Sequence, residues 1–399
     1  MNNASPSPLS NRPLVAPRSP RAHTRLQLIL LLIASAATCV SCTGITGTHP
    51  VSAMVFVASD RQKLALNQPL ALLFGVERGV DLTFKACQLT LPQVERPDGT
   101  APGLLLSAGR AGIKLESGTD VSAAAFEAQL ANRAPPAQPG PPVAQPELLI
   151  FVHGFATEPR DAVIQAGQFA HDLDFAAPVV VFNWPTRGLY LSYFVDGLNA
   201  EWCVPDFVRL LELVRGAHAA RRIHIVGHSA GARIVLRGVR EFLARRCVPF
   251  DESAGIPAIS PPPAGERWFG QIVLVAPDED TEVFERSFAS ILAQAAARTT
   301  IYYSSRDRAL DLSGWLFGYR RLGAADGPHL RPELFEQIQS IDATRVDRDF
   351  LGHCYYTDSP EVLQDIQQVL AGRSATDPQR RLDRSNGFQL VPQTRGHRP

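Results

Sequence analysis

The chain has 399 residues, and 39 Lys and Arg balance 39 Asp and Glu. A formal net charge of zero argues against nucleic acid as the main partner. Hydrophobic residues make up 45% and charged residues 20%, enough for a sizeable core in one large domain or two ordinary ones.

The first 25 residues are polar and Pro-rich, with Arg12, Arg18, Arg21 and Arg25 and no acid. Leu26 to Ala37 is apolar apart from Gln27 and Ser35, and a run of small residues follows. This succession predicts a secretory signal over residues 1–42. Its apolar core is short of the about 20 residues a membrane span needs. Cys42, after Val40-Ser41, is a candidate lipid-modified cysteine, although Cys39 stands where a lipobox usually has leucine. Three fates stay open: lipidation at Cys42, simple secretion, and an uncleaved anchor through the apolar segment. Each places the protein in the cell envelope or beyond it, with membrane attachment in the first and third. Of the remaining cysteines, Cys87, Cys203, Cys247 and Cys354 form no Cys-x-x-Cys pair, so no zinc site is expected. One or two disulfides are compatible with an oxidising compartment, and the sequence leaves their pairing open.

Residues 43–133 form an N-terminal strand region: Ala53 to Ala58 is a strand candidate, and Asp81 to Leu91 alternates more weakly. Residues 134–146 are a Pro-rich linker or long loop. From 147 to 371 the pattern changes. Apolar runs at Leu148–Val152, Pro178–Phe182, Ile223–Val226, Gln271–Ala276 and Thr299–Tyr303 read as strands buried on both faces. Helical spacings separate them: Val163/Ala166/Phe169/Ala170/Leu173, Phe207/Leu210/Leu211/Val214, Ile234/Val235/Val239/Phe242/Leu243 and Val283/Phe284/Phe288/Ile291/Leu292. Such alternation predicts an α/β fold with a mostly parallel central sheet and helices on both faces. Glu361 to Leu370 reads as a closing helix, and residues 372–399, charged and poor in apolar groups, as a disordered tail.

Gly227-His-Ser-Ala-Gly231 lies between the Ile223–Val226 strand and the helix starting near Ile234. Strand, glycine-framed serine, then helix is the context of a nucleophile elbow. The serine occupies a sharp turn where flanking side chains would collide with neighbouring elements. The competing reading is a tight turn with a serine helix cap. Reactive groups gather at the carboxyl ends of parallel strands, and three other loops there supply candidates. His153-Gly154-Phe155 ends the first parallel strand, so the Phe155 N–H pairs with that of Ala230 as an oxyanion hole. Asp307 follows the Thr299–Tyr303 strand and is preferred as the acid. Asp278 is the rival, although Asp278 and Asp280 also suit capping of the next helix. His353, before the closing helix, completes the order Ser229, Asp307, His353. His224 and His228 read as structural. Trp184-Pro185, the stretch Tyr190, Tyr193 and Phe194, and Trp315 to Tyr319 either line an apolar acyl pocket or pack under loops.

Six segments in order carry a resemblance: Phe151-Val-His-Gly-Phe, Phe182-Asn-Trp-Pro, Gly227-His-Ser-Ala-Gly, Ala276-Pro-Asp, Ser304-Ser-Arg-Asp-Arg-Ala-Leu and Leu351-Gly-His-Cys-Tyr-Tyr. With Val55-Phe-Val-Ala-Ser-Asp-Arg before them, the chain from about 53 to 371 resembles an uncharacterised alpha/beta hydrolase family found in bacteria. The resemblance implies the alpha/beta hydrolase fold and a serine hydrolase triad of Ser229, Asp307 and His353, and little about substrate. Ala230 stands where that family often has methionine. The expected activity is hydrolysis of a carboxylic ester, small-molecule or lipid, through an acyl-enzyme and without a cofactor. An acyltransferase, an amide or thioester hydrolase, and a catalytically silent envelope binding protein are the alternatives.

Overall fold

The computed structural model describes residues 50–64, 74–92, 112–133, 146–187, 192–217, 222–246, 267–324, 334, 336–349, 351–385 and 387–392. The signal segment, the Pro-rich stretch up to 145, Tyr190 and Cys247 lie outside them. No helix among the described residues is long and apolar enough to cross a membrane.

Eleven strands form one sheet in the order β10-β11-β9-β8-β7-β6-β4-β5-β1-β2-β3. Its centre is β4 (Glu147–Val152), β5 (Val179–Phe182), β6 (Arg222–His228), β7 (Phe269–Val275), β8 (Ala296–Tyr303) and β9 (Ile338–Asp342), all parallel. β1 (Val51–Lys63) joins β5 in parallel, and β2 (Phe74–Leu91) and β3 (Lys114–Val121) extend that edge antiparallel. The N-terminal strands therefore belong to the same sheet as the parallel core.

Alternate strand residues serve two separate cores, as a pleat of period two requires. Phe56, Ile150, Ile225 and Ile272 face α1 (Ala123–Asn132), α4 (Val204–Ala217), α5 (Gly231–Ala244) and α7 (Ala289–Ala295). Val57, Phe151, Val226 and Val273 face α2 (Pro159–Asp172) and α10 (Pro360–Leu370). Helices thus cover both faces. Close approach of α4 and α5 depends on Gly238, where a Cβ would stand 2.4 Å from Phe207 Cδ1.

Three elements depart from expectation. The single helix predicted over Val283 to Leu292 is two short ones, α6 (Thr281–Ser287) and α7, broken at Phe288. The Thr299–Tyr303 strand is not the last: β9 continues the parallel sheet, with only Ile338 and Ile341 as apolar markers. The tail expected from 372 is a correction. Residues 373–385 and 387–392 fold onto the sheet edge, where β11 (Phe388–Leu390) pairs with β9, and β10 (Leu382–Asp383) with β11. Leu382 and Leu390 join the apolar core, and a buried ion network adds to their hold. Arg380 donates to both Asp365 oxygens (2.8 and 2.7 Å), and Tyr302 donates to Asp365 Oδ2 at 2.6 Å. All three are essentially inaccessible to solvent, and such a set stands only when every charge is partnered.

Candidate active site

Ser229 directly follows β6 and precedes α5, whose N-cap is Ala230. Its φ of 51° is the left-handed conformation, costly for a residue with a side chain. Two backbone bonds hold the turn: Ser229 N donates to Val275 O (3.0 Å), and Asp278 N donates to Ser229 O (3.1 Å). The flanking glycines are sterically required. A Cβ at Gly231 would stand 2.4 Å from His153 O, and one at Gly227 2.9 Å from Val235 Cγ2.

The sheet brings the three candidate side chains together from loops after β6, β8 and β9. His353 Nε2 lies 2.9 Å from Ser229 Oγ, and His353 Nδ1 lies 2.8 Å from Asp307 Oδ2. A carboxylate only accepts, so Nδ1 donates to Asp307, which leaves Nε2 to accept from the hydroxyl. Asp307 is also the N-cap of α8 (Arg308–Phe317): its other oxygen accepts from Leu310 N at 2.9 Å. Both oxygens are thereby fixed. Burial pushes the Asp307 carboxyl above its ordinary value, against the pull of the His353 ring. Burial opposes the charged form of His353, and Asp307 outweighs it, so this histidine titrates above its ordinary 6.5.

The His353 loop has two supports, Asp349, which sequence reasoning missed, and His228. Asp349 Oδ2 accepts from the backbone N–H of His353 (2.9 Å) and Cys354 (3.0 Å). His228 Nε2 lies 3.2 Å from the His353 carbonyl and donates to it, while its ring packs on Tyr356. Nothing in the sequence marks Asp349 for this role, whereas His228 was read as structural.

Asp278, the rival acid, is committed elsewhere. Arg233 and Arg321 hold it at 3.0 and 2.7 Å, and the hydroxyls of Tyr193 and Ser313 donate to it. Burial opposes its charge, but the two guanidiniums keep the carboxyl well below the usual range. Asp280 is the cap of α6, accepting from Glu282 N and Val283 N.

Ala230 follows Ser229 directly, and the loop that carries Phe155 approaches the serine at Gly154. A Cβ at Gly154 would stand 3.1 Å from Ser229 Cβ and 2.8 Å from His228 Nδ1, so glycine lets the Phe155 loop reach the serine. A buried arginine from β1 anchors this loop. Arg61 donates to Thr157 O (3.0 Å), Thr186 O (3.1 Å) and Asn183 Oδ1 (2.8 Å), and Thr157 Oγ1 donates to Gly154 O (3.1 Å). Burial lowers the Arg61 pKa to about 10, so it stays charged at neutral pH. Burial, with the Arg61 charge adding to it, pushes His153 down to about 3, and its ring is neutral. Trp184 is buried, stacked on His153 with Nε1 donating to His153 O (2.8 Å), and so supports the loop instead of lining a pocket. Among the described residues Cys87, Cys203 and Cys354 are in no disulfide, and no cluster of His, Cys, Asp or Glu is placed to hold a metal.

A family model described as "Alpha/beta hydrolase of unknown function (DUF900)" matches residues 142–373, more than half of the chain. This protein belongs to that alpha/beta hydrolase family. A search of curated proteins finds no match. The matched stretch of this alpha/beta hydrolase takes in Ser229, Asp307 and His353 but begins after β1, so Arg61 lies outside it.

Proposed function

We propose that this alpha/beta hydrolase is a serine hydrolase that cleaves carboxylic esters through an acyl-enzyme on Ser229. One observation carries the reading: an unbroken chain of hydrogen bonds from Asp307 through His353 to a serine held at positive φ. His353 Nε2 takes the hydroxyl proton as Ser229 Oγ attacks the carbonyl carbon. Asp307 keeps the proton on Nδ1 and stabilises the imidazolium. The N–H groups of Phe155 and Ala230 receive the negative charge on the carbonyl oxygen, each contributing on the order of 3 kcal/mol. His353 then gives its proton to the departing alcohol, and a water molecule activated by the same ring releases the acid. The succession of basic, apolar and small residues up to Cys42 supports an exported, envelope location for this activity.

The test is covalent labelling with a fluorophosphonate. The wild-type protein is expected to take one label and Ser229→Ala none. Equal labelling of both removes Ser229 as the nucleophile, and no labelling of the wild type returns the fold to a catalytically silent role.

A further inference from the structure

Beside the Phe155 loop a row of aromatic rings runs outward to solvent. Phe155 meets Tyr193 edge-on at 5.1 Å between ring centroids. Tyr193 and Phe194 begin α3 (Tyr193–Trp202), and Phe317 ends α8; Tyr193 and Phe194 each lie 5.8 Å from Phe317. Phe194 is 58% exposed and Phe317 36%. Soluble proteins keep contiguous exposed aromatics at sites that bind something.

The row is also held rigidly. Tyr193 donates its hydroxyl to Asp278, whose backbone N–H donates to Ser229 O, so the first ring of α3 is tied to the serine turn through one residue. The Arg233 and Arg321 guanidiniums lie 5.4 and 4.8 Å from the Phe317 ring and also bind Asp278. The charges that fix the rings are thus bound to a buried carboxylate, while Phe194 and Phe317 keep solvent-exposed surface. A surface needed only for solubility has no use for this arrangement.

We infer that Phe155, Tyr193, Phe194 and Phe317 form a shelf for the hydrocarbon chain of the acyl group, and that the substrates of Ser229 are esters of medium- or long-chain acids. The occupant follows from continuity: the row starts at the residue whose N–H is assigned to the oxyanion, so a chain leaving the carbonyl carbon runs along the rings. The inference rests on the serine hydrolase reading. Two other features carry less. The cavity between β1 and α2, lined by Met54, Arg133, His171, Asp174 and Phe175, lies at the end of the sheet away from Ser229, and its lining singles out no ligand chemistry. The buried Asp60 lies next to the free thiol of Cys203 with no group that names a ligand.

The experiment compares kcat/KM for p-nitrophenyl acetate and p-nitrophenyl octanoate in the wild type, Phe194→Ser/Phe317→Ser and Ser229→Ala. Burying half of the six added methylenes, at about fourfold each, gives a wild-type octanoate-to-acetate ratio of about 50. The ratio itself, which is insensitive to the amount of folded protein, is expected to fall below about 5 in the double variant. A wild-type ratio near one or lower, or an unchanged ratio in the double variant, overturns the shelf and leaves the serine chemistry standing. Turnover that survives Ser229→Ala overturns both.

Discussion

Asp307 and Asp278 are both buried carboxylates at the carboxyl ends of adjacent strands, and only their partners distinguish them. Asp307 faces one titratable ring; Asp278 faces two permanent cations. Their amides should therefore fail differently. Asp307→Asn is expected to lower kcat by about 10⁴, because the tautomer of His353 is no longer enforced, with little change in Tm. Asp278→Asn leaves two buried guanidiniums short of a counter-charge and is expected to cost about 3–5 kcal/mol of stability, read in a thermal melt. Equal losses of rate with equal melts would return Asp278 to candidacy as the acid. The pH profile adds a signed check. His353 must be neutral to act, so wild-type kcat/KM should fall on acidification with a midpoint above 6.5. In Asp307→Asn the carboxylate that raises this midpoint is gone while burial, which lowers it, remains, so the acid limb should move to lower pH. A limb that stays in place would mean that another group sets it.

At the scale of elements, the parallel core was legible because both-face burial writes unbroken apolar runs, as in Leu148–Val152 and Ile223–Val226. The serine turn was legible because its glycines answer backbone collisions that any side chain would cause. What escaped was built from polar residues. β9 carries Gln339, Ser340 and Asp342 among its five positions, and the C-terminal strands are held by Arg380, Asp365 and Tyr302, residue types that normally signal a solvated surface. Arg61 escaped for the same reason: an arginine at the end of a strand gives no sign that three acceptors of distant loops converge on it. The consequence is a measurable role for β1 in positioning the Phe155 loop. Arg61→Met should reduce kcat by about 10² with a smaller effect on KM, since a loop displaced by an ångström misplaces the oxyanion donor. Arg61→Lys, which keeps the charge and reaches fewer acceptors, should recover part of kcat. A variant that melts earlier yet turns over normally would confine Arg61 to stability.

At the scale of the whole molecule, β1 also carries a buried acid, Asp60, next to Arg61 in the chain. Asp60 is fully buried behind the sheet, where burial above all raises its carboxyl to about 7, with the neighbouring Asp206 adding to the rise. A group whose folded pKa exceeds its unfolded one binds more protons in the native state, so its contribution favours folding at low pH and is lost as pH rises through about 7. Across the interval from 3.8 to about 7, this amounts to at most about 4–5 kcal/mol. The same site therefore works against the native state under the neutral to alkaline conditions in which a neutral His353 is needed. Asp60→Asn removes the titration and keeps the shape. Its stability relative to the wild type, measured by denaturant unfolding at pH 5 and pH 8, should improve between the two values, with the gain accruing up to about pH 7 and levelling off above it. If the difference between the two proteins is the same at both pH values, Asp60 is ionised in the folded state throughout, and the adjacent Arg61 guanidinium, not the proton, is what neutralises it.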